Sequence, residues 1–207
     1  MHDYSIDKHP KEKVLFFLAL MAISAAPPIK QLADTLIASL EASTGWSSAP
    51  VVAIPVFGLF AGLYFLFDKY LWKISWLRKV LLVPDLNGKW ACIGHTNLKN
   101  AKAVSYDWEA TVSITQSWSK ILIHLKTQQS ESKSISASIY HEAGVGYRVL
   151  YQFNNKPNAD EIDLNNHSGS VEILFSENTK SAFGSYYTDR HRTTVGTMSL
   201  KRENSDV

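Results

Sequence analysis

The segment "SYDWEATVSITQ", residues 105–116, alternates apolar and polar side chains, and this alternation decides the fold of the larger part of the chain. Trp108, Val112 and Ile114 fall on one face of an extended segment, and their immediate neighbours fall on the other face. Alternation over a run of this length is typical of a half-buried β-strand. The segment therefore predicts a strand with one face in an apolar core.

Segments with the same period of two recur through the distal part of the chain. They are joined by short turns rich in Gly, Asn, Ser and Pro, with no helix-length 3.6-residue pattern between them. The other strand candidates are Lys89–Thr96, Lys120–Thr127, Lys133–His141, Gly144–Phe153, His167–Phe175, Lys180–Thr188 and Thr193–Arg202. About eight short strands in series predict an all-β domain over residues 85–207, built as an antiparallel up-and-down β-barrel.

The proximal part of the chain, residues 1–84, has a different character. The segment "PVVAIPVFGLFAGLYFLF", residues 50–67, contains eighteen residues without a charge, and aromatic and basic residues follow it directly. Roughly 20 apolar residues cross a bilayer, and such flanks are favoured at its interface. We therefore expect a transmembrane helix from about 50 to 71.

A shorter apolar run, "VLFFLALMAISAA", residues 14–26, stops at Pro27-Pro28. Its length fits the core of a cleaved signal peptide, but apolar residues at helical spacing continue beyond the prolines. A kinked transmembrane helix from about 12 to 40 is the preferred interpretation. Residues 1–84 then form a transmembrane hairpin with a juxtamembrane linker.

Positive charge predicts the orientation of this hairpin. The basic residues beside the two helices are Lys8, Lys11 and Lys13 before the first, Lys30 alone in the connection, and Lys69, Lys73, Arg78 and Lys79 after the second. Lys and Arg concentrate on the cytoplasmic side, so both termini and the β-barrel are expected in the cytoplasm.

Composition excludes several classes of function. Residues 85–207 carry thirteen basic and thirteen acidic side chains, which is no excess for binding the backbone of duplex nucleic acid. Cys92 is the single cysteine, so neither an intramolecular disulfide nor a cysteine-based zinc site can form. No Walker, H-E-x-x-H or G-x-S-x-G motif is present. We therefore expect no catalytic residues, no metal and no cofactor.

Candidate ligand contacts lie near strand ends and turns, where aromatics stack on bases, amides read base edges and arginine forks bind phosphate. They are Gln116 and Trp118, Ser132 and Ser134, Tyr151 and Asn155, His167, Tyr186, and Arg190 and Arg192. For the aromatics the alternative role is core packing, and for the serines and arginines it is solvation at the surface.

The order of several weak motifs adds a family resemblance. A paired membrane hairpin precedes "LNGKW", "ITQSWSKILIHLKT", serines at alternate positions, "LYQFNNKP", "HSGSVEILF" and "GSYYTDRHRTTVG". Across nearly its whole length the chain resembles the two-transmembrane, β-strand-rich CD-NTase-associated effectors of bacterial CBASS anti-phage defence, which have a minimal β-barrel sensor.

This resemblance implies a function. The cytosolic barrel would bind a cyclic dinucleotide made by a cognate nucleotidyltransferase and would then form a homo-oligomer. The membrane segments, in a multi-pass protein of the inner membrane, would disrupt that membrane and kill the infected cell.

Two alternatives remain open from the residues themselves. "GKW" opens the first predicted strand and Arg202 closes the last, which is similar to the lipocalin arrangement of a Trp covered by an Arg. The chain would then be a membrane-tethered binder of a hydrophobic or lipid ligand. The second alternative is a membrane-anchored interaction module without a ligand. Arg, Tyr, Gln and Ser side chains converging at one end of the barrel would favour a nucleotide, whereas an apolar interior would favour a lipid.

Overall fold

A computed structural model describes residues 1–7, 9–44, 56–98, 105–161, 164–190 and 192–203. The chain divides into two compact units, one of Met1–His9 together with Ser75–Val207, and the other of Pro10–Ile74. The first contains the strands and is called here the strand unit; the second is the helical unit. The strand unit thus includes the N-terminal nine residues and begins again at Ser75, instead of the expected start at 85.

The helical unit contains α1 (Lys11–Thr44), α2 (Val56–Lys69) and a short 3-10 helix at Leu71–Lys73. Only α1, over Lys11–Leu40, is long and apolar enough to cross a membrane among the helices of the described ranges. The described part of the expected second span is the apolar helix α2, whose fourteen residues are too few to cross a membrane by themselves. Residues 50–55, the first part of the expected second span, lie outside the described residues.

Large apolar side chains on these helices are exposed. Examples on α1 and α2 are Phe16, Leu32, Leu36, Leu40 and Phe57, each more than half exposed. A helix face of this kind is costly in water and is stable against hydrocarbon. The burial pattern therefore supports membrane association of the helical unit.

The strand unit contains a short helix and nine strands. The helix is α3 (Ser75–Leu81), and the strands are β1 (His2–Ile6), β2 (Gly88–Leu98), β3 (Ser105–Gln116), β4 (Lys120–Lys126), β5 (Ser130–Glu142), β6 (Gly146–Pro157), β7 (His167–Ser176), β8 (Ser181–Thr188) and β9 (Thr194–Arg202). The sequence predicted about eight strands, and the ninth is β1. Its five residues lie directly before the basic flank of the first apolar helix and carry little strand signal of their own.

The strands from β2 to β9 pair with their neighbours in chain order, always antiparallel. β2 also pairs with β9, from Trp90 opposite Arg202 to Leu98 opposite Thr194, so the sheet returns on itself. Short connections favour this arrangement, because an antiparallel neighbour needs only a tight turn.

β1 completes the ring between β4 and β5. These two strands pair only from His124 to Lys126, and beyond that point they separate. β1 occupies the gap, with His2 opposite Ile121 on β4 and Tyr4 opposite Ala137 on β5. The irregular register of β5 between Ser134 and Ser136 marks the point of divergence.

Tyr4 fixes β1 to the interior of the barrel. Its side chain is buried, and its hydroxyl donates to the carbonyl of Ser117 (3.2 Å) and accepts from the Gln116 amide (3.1 Å). A buried tyrosine needs such partners for its hydroxyl. The same contacts explain why a strand of five residues is sufficient to close the sheet.

Inward-facing apolar residues fill one end of the barrel. The Trp90 ring meets Phe175 edge-on at 5.1 Å, and the Arg202 guanidinium lies 5.0 Å from the centre of the Trp90 ring. Arg202 also donates to the carbonyls of Asp85 and Asn87. This end, called here the closed end, has the expected tryptophan covered by an arginine. The contacts of Trp90 and Arg202 are packing and hydrogen bonds within the barrel.

Replacing Tyr4 with Ala should destabilise the strand unit by about 3–5 kcal/mol, the usual effect of truncating a buried aromatic residue. The loss follows because the ring fills the core and the hydroxyl pairs two groups of the β3–β4 turn. Urea unfolding of the full chain in detergent, followed by near-UV circular dichroism, measures it. Ser5→Ala, at an exposed position of the same strand, is the control, and equal stability of the two variants would contradict the role assigned to Tyr4.

Candidate ligand-binding site

A cavity of about 130 Å³ opens at the end of the barrel opposite the closed end. It lies where β2, β4, β6 and β8 finish and where β3, β5, β7 and β9 begin, since neighbouring strands run in opposite directions. Every side chain around it belongs to the strand unit. This end is called here the open end.

Two aromatic rings form one wall of the cavity. The indole N–H of Trp108 donates to the hydroxyl of Thr96 (2.9 Å) and lies 3.3 Å from the hydroxyl of Tyr186. The Tyr186 hydroxyl is also hydrogen-bonded to Thr96, and the two rings meet edge-on at 5.9 Å. Burial raises the pKa of Tyr186, so its phenol is neutral at pH 7. The hydrogen bonds hold both rings in fixed orientations.

Glycines opposite the aromatic residues allow these orientations. Gly94 pairs with Trp108, and Gly196 pairs with Tyr186. A Cβ atom at either glycine would overlap the ring of its partner. Gly169 has the same relation to Phe153, a third aromatic residue of the cavity. The rings therefore lie over the glycine backbone and leave the interior of this end partly open.

Arg192 stands at the mouth of the cavity. Its guanidinium donates to the hydroxyl of Tyr106 (3.2 Å) and lies 3.5 Å from Nε2 of His167. Within the described ranges no carboxylate lies within 4.0 Å of it. A half-buried guanidinium with only neutral partners retains its capacity to bind an anion.

The turn before β9 places Arg192. The Asp189 carboxylate accepts from the backbone N–H of Ser168 (2.8 Å), and the Asp189 carbonyl accepts from the N–H groups of Arg192 (3.1 Å) and Thr193 (2.9 Å). Thr193 has a φ of 50°, an uncommon conformation for a β-branched residue. The turn is therefore specifically shaped to direct the chain back into β9.

His167 is a neutral neighbour of Arg192. Its buried ring is hydrogen-bonded through Nδ1 to the carbonyl of Asn165 (3.1 Å), so Nδ1 carries the proton and Nε2 is an acceptor. Burial lowers the pKa of His167, and the charge of Arg192 lowers it further. The mouth of the cavity thus has one cationic group, Arg192, among the side chains that the structure describes around it.

The row that joins β5, β6 and β7 at the open end is polar. Ser132 lies opposite Asn155, and Asn155 lies opposite His167. The Asn155 amide donates to the hydroxyl of Ser130 (3.1 Å), whereas its Oδ1 is buried without a partner in the described part of the chain. An unpaired buried acceptor is unfavourable unless a ligand or a water molecule donates a hydrogen bond to it.

Six of the ten side chains expected at the site line this cavity. They are Ser132, Tyr151, Asn155, His167, Tyr186 and Arg192. They come from four strands and one turn, and the barrel brings them to the same end. Their roles in ligand binding stay predictions.

Gln116 and Trp118 do not lie at the cavity. Gln116 accepts from the N–H of Leu86 (2.9 Å) near the closed end, and Trp118 donates to Nε2 of His9 (2.9 Å). Gln116 is the last residue of β3 and Trp118 follows it, and β3 runs from the open end to the closed end, whereas β6 runs the other way. Residues that end β3 and β6 are therefore at opposite ends of the barrel.

Ser134 and Arg190 also lie away from the cavity. The buried Ser134 hydroxyl accepts from the N–H of Ile123 (2.9 Å) and is hydrogen-bonded to His2 (2.7 Å). Its hydrogen bonds are therefore made within the protein, at the point where β4 and β5 diverge. Arg190 is exposed in the turn and is not among the residues around the cavity. The turn thus directs one of its two arginines inward.

Thr96, Tyr106 and Trp108 were missed as cavity residues in the sequence. They flank the β2–β3 connection, and alternation places Trp108 on the inner face without showing which end of the barrel it occupies. The glycine opposite the Trp108 ring, Gly94, was the available signal, but it requires the strand register, which the sequence alone does not provide.

Other chemistry is not supported by the geometry. No group of three or more His, Cys, Asp or Glu side chains suits a metal ion in the ranges covered by the structure. Cys92 is buried, and burial raises the pKa of its thiol to about 12, so it is a protonated, unreactive core residue at pH 7.

Replacing Gly94 with Ala should lower the free energy of unfolding by about 1–3 kcal/mol, because the new methyl group displaces the Trp108 indole. Combining Gly94→Ala with Trp108→Ala should cost less than the sum of the single changes, because the methyl group then has room. Urea titrations of the four chains measure this coupling. Strictly additive losses would contradict the proposed contact.

Comparison with known proteins agrees with this architecture. A family described as "Cap15, cyclic dinucleotide receptor domain" matches residues 81–202, and one described as "Cap15, TM helices" matches residues 12–73. The chain is also similar to CD-NTase-associated protein 15 of Yersinia aleksiciae, with 43% identity over 145 residues, 70% of this chain and 68% of that relative. Because the receptor-domain match covers more than half of the chain and includes β2 to β9, the chain belongs to the Cap15 family of CBASS effectors, which combines transmembrane helices with a cyclic dinucleotide receptor domain.

Proposed function

We propose that the open-end cavity binds a cyclic dinucleotide made by a cognate nucleotidyltransferase, and that binding drives self-association and disruption of the bacterial inner membrane. The observation that carries the proposal is the convergence of Arg192, aromatic rings and hydroxyl groups at the end of a closed sheet. This is the combination that a phosphate and a nucleobase require.

Arg192 supplies the phosphate contact. A guanidinium binds two phosphate oxygens with parallel hydrogen bonds. Within the described ranges Arg192 forms no ion pair with a carboxylate, so its charge is available to a phosphate. Its contacts with the Tyr106 hydroxyl and the neutral His167 ring orient the guanidinium without neutralising it. A small ligand with two phosphodiesters needs few such groups, which agrees with the balanced charge of residues 85–207.

The aromatic wall supplies base contacts. Trp108 and Tyr186 are held by hydrogen bonds to Thr96 and present rings to the cavity. Stacking of a base on an aromatic side chain contributes about 1–3 kcal/mol. Fixed rings lose little conformational freedom on binding, so more of this contribution is retained.

The same lining argues against a hydrophobic or lipid ligand. Ser132 has a hydroxyl and Asn155 has a buried amide oxygen that are unpaired in the described part of the chain, and an apolar ligand would leave both without a partner. The lipocalin-like pair, Trp90 and Arg202, lies at the closed end and packs that end of the barrel.

Membrane disruption follows from the helical unit. We propose a multi-pass protein with both termini in the cytoplasm, from the basic residues that flank the apolar helices. A ligand that binds the associated state better shifts the equilibrium toward it. Helices confined to a membrane then meet at high effective concentration.

Replacing Arg192 with Ala should weaken cyclic dinucleotide binding about 10- to 100-fold, the range expected for a lost charged hydrogen bond. Arg190→Ala is the matched control from the same turn and should bind within about twofold of the unchanged chain, because charges exposed to solvent are strongly screened. Isothermal calorimetry of the full chain in detergent gives both affinities. Equal binding by the two variants would remove the phosphate role of Arg192.

Deleting the helical unit should separate binding from membrane damage. We expect a chain in which a flexible Gly–Ser linker of about ten residues replaces Pro10–Ile74 to retain β1 and to bind the ligand, but to cause no leakage. The linker is feasible because His9 donates to the carbonyl of Leu81 (3.0 Å), so both connections to the helical unit leave the same region of the strand unit.

Dye release from lipid vesicles on addition of cyclic dinucleotide measures the damage. The full chain should release dye, and the full chain carrying Arg192→Ala should require correspondingly more ligand. Leakage caused by the helix-deleted chain would contradict the assignment of membrane damage to the helical unit.

A further inference from the structure

Two hydroxyl groups that line the cavity have no hydrogen-bond partner among the residues that the structure describes. Tyr151 is 6% exposed and Ser132 is 8% exposed, and both line the cavity. Neither hydroxyl makes a hydrogen bond to any residue in the described part of the chain, and neither belongs to the fully enclosed unpaired atoms. Both therefore reach the space of the cavity.

Other hydroxyls of this end are paired. The Tyr186 hydroxyl bonds Thr96 and Trp108, and the Thr188 hydroxyl bonds Thr194 (2.9 Å). The Ser134 hydroxyl, two residues from Ser132 on β5, bonds Ile123 and His2. Most buried hydroxyls in this region thus have a partner within the protein. Those of Tyr151 and Ser132 have none among the described residues.

Tyr151 lies deeper in the barrel than Asn155. The two residues are four positions apart on β6, which corresponds to about 13 Å along a strand. Tyr151 lies opposite Val171, whereas Asn155 lies opposite His167 beside Arg192. Burial raises the pKa of Tyr151, so its neutral phenol both donates and accepts hydrogen bonds. Polar groups thus extend from the mouth to the interior.

We propose that the base of the ligand enters the barrel first, with keto or amino groups of its edge hydrogen-bonded by Tyr151 in the interior and by Ser132 nearer the mouth, while Arg192 holds the phosphate at the mouth. This inference rests on the proposed function and gives it an orientation. Hydroxyls at both positions accept from amino groups and donate to keto groups, so they select a base with a polar edge over an apolar ring.

The proposal predicts opposite effects on stability and binding. An unpaired buried hydroxyl is unfavourable in the free protein, so Tyr151→Phe should keep or raise the thermal midpoint of the unliganded chain. The same change should weaken ligand binding about tenfold, because one hydrogen bond to the base is lost. A purely structural tyrosine would show a lower midpoint and unchanged affinity.

Three tyrosines of the barrel provide a matched set. Tyr187→Phe removes a hydroxyl from a residue that is 60% exposed and should change neither quantity. Tyr186→Phe removes a paired hydroxyl and should lower the thermal midpoint. Ser132→Ala tests the second position independently of any change at Tyr151, with the exposed Ser185→Ala as its control.

The experiment uses the full chain in detergent, with cyclic di-AMP, cyclic di-GMP and cyclic di-UMP as probes in calorimetry and thermal unfolding. Weaker binding by Tyr151→Phe and Ser132→Ala, without a lower midpoint, supports the inference. Unchanged affinity of both variants while Arg192→Ala loses binding would overturn the inference and leave the proposed function in place. Unfolding of Tyr151→Phe would also count against it. Absence of binding to every probe by the unchanged chain would overturn the proposed function itself.

Discussion

Closure of the sheet by β1 is the constraint on which the strand unit depends. β4 and β5 share only three paired positions near the open end, and without β1 both strands would expose unpaired backbone groups toward the closed end. Exposed edges of this kind promote association between chains. Because β1 precedes α1 in the chain, the segment that closes the barrel also leads into one of the two covalent links to the helical unit.

Within the closed sheet, the two ends have different compositions for a physical reason. Trp90, Phe175 and Arg202 fill the closed end, so its interior is packed, and the Arg202 guanidinium is paired with backbone carbonyls. At the open end, the glycines opposite Trp108 and Tyr186 have no side chain, so the two rings pack directly against the backbone of the barrel wall. The space that remains is lined by the hydroxyls of Tyr151 and Ser132, which have no partner in the described part of the chain. Full packing stabilises one end, whereas incomplete pairing at the other is the usual property of a binding site.

The sequence predicted much of this fold and part of the site. Alternation identified the strands from residue 88 onward, and the aromatic, amide and arginine residues of β6 and the β8–β9 turn were found at the cavity. Gln116 and Trp118 lie away from the cavity, and the sequence did not show this because alternation gives the face of a residue but not the end of the barrel toward which its strand runs. β1 was missed because its pairing depends on a gap between two strands more than a hundred residues away, and no local pattern records such a gap.

The divergence of β4 and β5 brings the cavity and β1 into one network of contacts. Ser132 lines the cavity, and Ser134, two residues further along β5, bonds both Ile123 on β4 and His2 on β1. Because packed interiors deform little, a change in the spacing of β4 and β5 must be accommodated by β1. A ligand changes the population of such arrangements only by the difference in its affinity for them. Ligand contacts on β5 at the cavity therefore lie two residues from a hydroxyl that is bonded to β1.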